Sequence, residues 1–208
     1  MKIAILLFDE VDLLDAGGPY EVFLTASRLA CRNGSPAPFD VVTVSLDGEP
    51  VGAFGGLGLV PRGSLASVMP VDALIIPGTI NVDKALADRA LLDAIAGVVG
   101  AIGDRPEPVL ASVCTGAFLL AGAGLLGGRE WTTHWEDIDS LAARLGADGA
   151  KRDVRWVDTG AIVTSAGLSS GIAMSLHLVD RFAGRALAER TARQIDYRWD
   201  PEGVDPGR

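Results

Sequence analysis

Short apolar runs alternate along most of this chain with longer stretches of helical periodicity. Bounded apolar runs are typical of buried strands, and apolar residues spaced three and four apart are typical of helices. The predicted strands cover residues 3–8, 39–46, 73–76, 109–113 and 130–133, with a hairpin at 154–157 and 161–165. The predicted helices cover residues 21–32, 82–101, 137–145, 170–182 and 186–196, and a further helix begins at Phe118.

Proline and glycine mark the limits of several predicted elements. Pro19 suits the first turn of the first helix, and Pro106 and Pro108 break the chain before the strand at 109. Gly127 and Gly128 end the helix that begins after that strand, and glycines between residues 50 and 68 predict turns with short strands. The alternation of strands and helices predicts an α/β fold with a mostly parallel sheet covered on both faces.

Length and charge limit the classes of protein to which this chain can belong. Its 208 residues fit one domain, 1–208, and the formal net charge of −9 argues against nucleic acid or anionic membrane as a partner. The first apolar run is too short for a signal peptide or a membrane span. Two cysteines provide no disulfide framework, which indicates a reducing compartment. We therefore expect a soluble cytoplasmic protein that binds a small molecule.

The segment 109–117 (VLASVCTGA) carries the strongest chemical signal. A strand that ends at Cys114 and turns sharply into a helix is the pattern of a nucleophile elbow, which requires small residues such as Ser112 and Gly116 two positions either side. The N-terminus of the helix would favour the thiolate form of Cys114. The alternative is that Cys114 is simply a buried apolar residue. Cys31 lies late in the first helix and is interpreted as structural.

Three further residues follow strands whose carboxyl ends meet at the edge where α/β sheets bind ligands. Asp15 lies between apolar and glycine residues, so partial burial would raise its pKa and suit it to donate or relay protons. Alternatively, Asp15 caps the first helix. Gly78 and Thr79 follow the 73–76 strand and could provide backbone N–H groups as an oxyanion site.

Histidine and tryptophan residues give weaker signals. His134, at the end of the predicted 130–133 strand, could form a dyad with Cys114 or could pack and hydrogen-bond beside the pocket, and we favour packing. His177 lies mid-helix and is expected to face the core or a subunit contact. Trp131 and Trp135 could form an apolar pocket wall, although core packing explains them equally well. The histidines and cysteines are too dispersed for a metal site, and no dinucleotide or phosphate-binding motif is present.

Four motifs together resemble the DJ-1/PfpI superfamily, whose fold is similar to that of class I glutamine amidotransferases. Its isonitrile (isocyanide) hydratase-like branch is the most similar. The matching segments are residues 15–23 (DAGGPYEVF), 112–116 (SVCTG), 131–135 (WTTHW) and 164–172 (TSAGLSSGI). The resemblance implies a flavodoxin-like three-layer α/β/α sandwich with a nucleophile elbow, and a homodimer. It also implies that Asp15 lies against Cys114.

The resemblance implies a cofactor-free enzyme that adds water to an isonitrile and releases an N-substituted formamide. Cys114 would form a thioimidate, Asp15 would supply the proton, and Thr115 would hydrogen-bond near the sulfur or adjust the elbow. Thr79 replaces a glycine of the family pattern, and Ala173 replaces an aspartate.

The alternatives are a non-catalytic stress or redox sensor and an enzyme acting on another small electrophile such as a 2-oxoaldehyde. A regulatory domain is a further possibility, but the sequence carries no basic helix-turn-helix module of the kind found in such regulators. The apolar late helices would provide the dimer surface.

Overall fold

A computed structural model describes residues 1–102 and 108–204. The strands are β1 (Lys2–Leu6), β2 (Asp40–Ser45), β3 (Val51–Gly52), β4 (Gly58–Leu59), β5 (Gly63–Ser64), β6 (Ala73–Ile76), β7 (Val109–Ser112), β8 (Trp156–Asp158) and β9 (Ile162–Ser165). The helices are α1 (Leu13–Arg32), α2 (Leu65–Val68), α3 (Val82–Ala87), α4 (Arg89–Ile102), α5 (Gly116–Gly122), α6 (Ile138–Leu145), α7 (Ser170–Ala183) and α8 (Arg185–Gln194). A 3-10 turn, Trp135–Asp137, precedes α6.

Seven strands form one sheet in the order β5-β2-β1-β6-β7-β9-β8, and β3 and β4 form a separate hairpin. Every pair in the large sheet is parallel except β8 with β9, which form the predicted hairpin at the edge. The chain order reverses between β1 and β6. The predicted ligand crevice therefore lies beyond the carboxyl ends of these two strands.

The sheet separates two apolar cores, as the alternation of side chains along β1 shows. Ala4 and Leu6 pack with α4, α5 and α6, whereas Ile3 and Ile5 pack with α1, α7 and α8. Side chains alternate between the faces because successive strand residues point in opposite directions. The predicted flavodoxin-like three-layer sandwich, with its mostly parallel central sheet, is confirmed.

The first helix begins eight residues earlier than predicted. Asp12 is its N-cap, so Pro19 lies inside the helix rather than in its first turn. Pro19 is buried, and Gly18 lets the helix approach Ile172 of α7 closely. Tertiary packing therefore offsets the hydrogen bond that proline removes.

The predicted strand at 130–133 is wrong. β7 pairs directly with β9, so the segment lies outside the sheet and makes only an isolated bridge between Trp131 and Ala150. Its Thr132 N–H donates to the side chain of Thr164 instead of to a strand backbone. His134 therefore follows an extended connection rather than a strand.

Two other predicted helix limits also differ. The 82–101 helix is divided at Asp88, whose carboxylate accepts a hydrogen bond from Leu91 N–H and begins α4. The elbow helix α5 ends at Gly122, before the predicted Gly127, because Gly124 takes a positive φ of 77°. Pro106 lies outside the described residues.

Candidate active site

Cys114 lies at the sharp turn between β7 and α5. Its φ is +55°, a left-handed conformation that residues other than glycine rarely adopt. The turn is held from both sides: Cys114 N–H donates to Ala166 O at 3.0 Å, and Thr133 Oγ1 donates to Cys114 O at 2.8 Å. A Cβ at position 116 would lie 2.3 Å from Ile76 O, so only glycine fits there. The geometry is that of the predicted nucleophile elbow.

Asp15 lies in the first turn of α1 and is completely buried. Its Oδ2 accepts a hydrogen bond from Gly78 N–H at 3.0 Å, and its carboxyl group lies close enough to the Cys114 side chain for each group to shift the pKa of the other. Asp15 Oδ1 has no hydrogen-bond partner among the described residues. Asp12, not Asp15, caps the helix, because Asp12 Oδ1 accepts from Leu14 N–H at 3.4 Å. The alternative that Asp15 is a helix cap is therefore wrong.

Both groups of this pair hold their protons more tightly than usual. Burial, followed by the charge of Asp12, raises the pKa of Asp15 from 3.8 to about 7. Burial, followed by the charge of Asp15, raises the pKa of the Cys114 thiol to about 12. The backbone N–H groups of Thr115 and Leu168 lower the pKa of Cys114, but burial outweighs them. The expectation that the helix N-terminus favours a thiolate is therefore wrong for the resting site.

Thr115 joins the elbow to the loop after β6. Its Oγ1 donates to Thr79 O at 2.7 Å and accepts from Thr79 N–H at 2.8 Å. Gly78 N–H is engaged by Asp15, so both backbone groups predicted to form an oxyanion site are already occupied. A Cβ at position 78 would lie 2.5 Å from Thr115 Oγ1, which explains the glycine there. Gly78 and Thr79 therefore position Asp15 and Thr115 rather than provide free donors.

The N–H groups that face the sulfur belong to Thr115 and Leu168. Sequence reasoning did not identify Leu168, since only the adjacent Gly167 marks that turn in the sequence. It also did not identify Asp12, although an aspartate directly before an apolar helical stretch is a recognisable N-cap. The side chain of Thr79 points to Glu10, donating to its carbonyl at 2.7 Å.

His134 lies beside Gly167, where a Cβ would approach its ring to 2.6 Å. Its Nδ1 is 3.4 Å from Asp137 Oδ2 and 3.8 Å from Glu136 Oε2. Among the described residues its polar contacts are with these carboxylates and not with Cys114. The geometry thus fits the packing interpretation rather than a cysteine–histidine dyad.

The other candidate residues lie away from the elbow. Trp131 is buried in the core, whereas Trp135 is 53% exposed. His177 stacks on Trp156, and its Nε2 lies 2.7 Å from Asp158 Oδ2 at the sheet edge. Cys31 is exposed near the end of α1. Ala173, which replaces the family aspartate, is buried, and its carbonyl accepts a hydrogen bond from the Trp199 indole at 3.2 Å.

Residues 1–102 and 108–204 contain no group of three or more histidine, cysteine or acidic side chains able to hold a metal ion. In the same part of the chain, no helix is long and apolar enough to cross a membrane.

The DJ-1/PfpI family model matches residues 1–181. The chain is 32% identical over 197 residues to isonitrile hydratase from Pseudomonas putida, covering 95% of this chain and 78% of the hydratase. It is 28% identical over 198 residues to the HTH-type transcriptional regulator GbdR from Pseudomonas aeruginosa, covering 94% of this chain and half of the regulator. The crystal structure of Drosophila melanogaster DJ-1beta superposes with a TM-score of 0.76 at 18% identity, covering 95% and 98% of the two chains.

Proposed function

The chain belongs to the DJ-1/PfpI family, and from the buried pair of Asp15 and Cys114 we propose that it is a cysteine-dependent isonitrile hydratase. The observation that carries the proposal is the close approach of the buried Asp15 carboxyl to the Cys114 side chain at a strained elbow. An ionisable pair of this kind can move one proton to and from a reacting atom without a cofactor. The similarity to isonitrile hydratase over 95% of the chain supports the choice of reaction.

In the first step, the sulfur of Cys114 bonds to the terminal carbon of the isonitrile. The Asp15 carboxylate takes the thiol proton as the S–C bond forms, then delivers that proton to the same carbon. Sulfur and hydrogen have then both added to one carbon, giving the thioimidate R–N=CH–S–Cys114. The pKa values of both groups are raised by burial, so the pair keeps a proton that can pass between the carboxyl group and the reacting atoms.

In the second step, water attacks the thioimidate carbon. Asp15 takes a proton from the water and delivers it to the nitrogen, giving a tetrahedral intermediate that still holds the C–S bond. That bond then breaks, the hydroxyl proton passes to the sulfur, and the N-substituted formamide R–NH–CHO is released. The sum is one isonitrile plus one water, and both Asp15 and Cys114 return to their starting states.

Apolar side chains on the segments that build the site support an apolar substituent on the substrate. Leu14, directly before Asp15, is 42% exposed, and Ile80, directly after Thr79, is 62% exposed. An isonitrile offers few polar atoms for recognition, so contact with such side chains would provide most of its binding energy. Trp131, by contrast, is too deeply buried to contact a ligand.

A second candidate function is that of a regulatory domain, favoured by the similarity to the HTH-type transcriptional regulator GbdR over 94% of the chain and half of the regulator. An oxidation sensor has less support, because Cys114 is buried and its pKa is raised, whereas sensor cysteines are exposed thiolates. Another small electrophile, such as a 2-oxoaldehyde, would use the same nucleophile. A substrate panel separates these possibilities.

We further propose a homodimer that forms through α1. The apolar faces of α7 and α8 pack into the core with α1. These two helices therefore do not expose the apolar dimer surface that was expected on them. Instead, α1 exposes Leu13, Tyr20 and Leu24 at helical spacing, a stripe that a second copy would cover. Light scattering should show a dimer for the wild type and a monomer for Leu24→Glu. A monomeric wild type would contradict the proposal.

In a gel shift at low salt, we expect no binding of DNA.

The test of the reaction is turnover of a panel of aliphatic and aromatic isonitriles, followed by mass spectrometry of the formamide product. Cys114→Ala should abolish turnover, and Asp15→Asn should slow it by about 10²–10⁴-fold. Cys31→Ala, the matched cysteine control on the exposed end of α1, should leave the rate unchanged. Formamide production that survives Cys114→Ala would overturn the proposed nucleophile.

A further inference from the structure

Asp12 and Asp15 are connected through one residue of a different segment. Asp12 N–H donates to Gly78 O at 2.9 Å, and Gly78 N–H donates to Asp15 Oδ2 at 3.0 Å. The two carboxyl groups lie one turn apart at the beginning of α1, where residues three apart are neighbours. Their relative position is therefore fixed by the helix and by the loop after β6.

We propose that Asp12 is a positioning residue for the reaction: its negative charge keeps the exchangeable proton on the pair of Asp15 and Cys114 near neutral pH. This proposal rests on the proposed function, because it names what prepares the same pair for acid–base work. Asp12 touches neither the reacting atoms nor the sulfur, and its charge acts on the pair from one helix turn away.

The surroundings of Asp15 leave Asp12 as its one charged neighbour of consequence. From the elbow, Cys114 faces Asp15 with its thiol; from the loop after β6, Gly78 faces it with a backbone N–H. Asp12 is the charged residue whose carboxylate raises the pKa of Asp15. Burial and then Asp12 raise the pKa of Asp15, and Asp12 also raises that of Cys114.

The unpartnered Oδ1 of Asp15 is independent support. A buried carboxylate oxygen without a donor is costly, whereas a neutral carboxyl group in the same place costs much less. The missing hydrogen bond at Asp15 Oδ1 and the charge of Asp12 therefore favour the same state, in which the Asp15 carboxyl group keeps its proton up to neutral pH. A group that titrates near the working pH both accepts and donates a proton readily.

The test is a titration of Asp15 by NMR on protein whose aspartate carboxyl carbons are labelled with ¹³C. The signal of Asp15 is the one that disappears in Asp15→Asn. Asp12→Asn keeps the helix cap, since asparagine caps as well as aspartate, but removes the charge. We expect the midpoint of Asp15 to fall by roughly 0.5–1 pH unit in this variant. Added salt should lower the wild-type midpoint and leave that of Asp12→Asn almost unchanged.

Asp9→Asn is the matched control, because Asp9 is exposed, lies three residues before Asp12 and does not act on Asp15. It should leave the midpoint where it is. An unchanged midpoint in Asp12→Asn, or an equal fall in Asp9→Asn, would overturn the proposal. The titration needs no turnover, so a failure of isonitrile hydration would leave this result standing and would contradict only the proposed reaction.

Discussion

Replacing Asp15 by asparagine should abolish a fall in stability that the wild type shows as pH rises, while it removes the proposed acid–base group. Asparagine keeps the size of the side chain and an oxygen that can accept from Gly78 N–H. The pKa of Asp15 rises from 3.8 to about 7 on folding, so the folded state holds this proton more tightly than the unfolded state. The wild type therefore loses stability as pH rises from about 4 to about 7, and its loss is complete above that range.

The size of this loss follows from the shift. Each pKa unit corresponds to about 1.4 kcal/mol, so the full penalty of ionising Asp15 is on the order of 4 kcal/mol. Roughly 2–3 kcal/mol of it develops between about pH 5 and pH 8, a window that lies below the titration of the Cys114 thiol.

The assay is urea unfolding of both proteins at the two ends of that window. The free energy of unfolding of the wild type should fall relative to that of Asp15→Asn by the amount given above. Comparing the two pH values cancels any fixed cost of the asparagine N–H₂ group. If the difference between the proteins is the same at both pH values, Asp15 does not titrate in this window and the reasoning fails.

Three further predictions follow from other parts of the site. In limited alkylation at about pH 8, Cys31 should react before Cys114, because Cys31 is exposed and the pKa of Cys114 is raised. Preferential labelling of Cys114 would contradict this prediction and would indicate a resting thiolate. Gly116→Ala should lower the free energy of unfolding by about 1–3 kcal/mol, because the added Cβ would lie 2.3 Å from a backbone oxygen. The control Gly97→Ala, at an exposed position of α4, should be neutral or stabilising. Equal effects of the two substitutions in thermal unfolding would contradict the elbow packing. The rate of isonitrile hydration should rise with pH through about 7 as the pair loses its first proton, and a rate that falls over this range would contradict the role of Asp15 as a base.

The elbow could be predicted from sequence because its cause is local. An apolar run, a cysteine and Gly116 two residues later describe the turn, and the structure shows that a side chain at 116 would meet the backbone. The approach of Asp15 to this turn followed from the family resemblance and the common edge of parallel strands. Both signals depend on residues close in sequence or on the general rule for sheet edges.

The remaining features depend on contacts that no local pattern specifies. Whether Gly78 and Thr79 offer free N–H groups depends on where the Thr115 hydroxyl points, and it points at Thr79. The direct pairing of β7 with β9 excluded the 130–133 segment from the sheet, although that segment has the composition of a strand. The thiolate expectation failed because burial of Cys114, set by the whole site, outweighs the nearby backbone N–H groups.

Native mass spectrometry of the protein mixed with excess isonitrile tests the central claim most directly, because the thioimidate contains the whole isonitrile. The wild type and Cys31→Ala should each show a species heavier by one isonitrile while formamide accumulates, and Cys114→Ala should show neither. An adduct that persists in Cys114→Ala, or a wild type that yields neither adduct nor formamide with any isonitrile of the panel, would contradict the proposal that Cys114 attacks the isonitrile carbon.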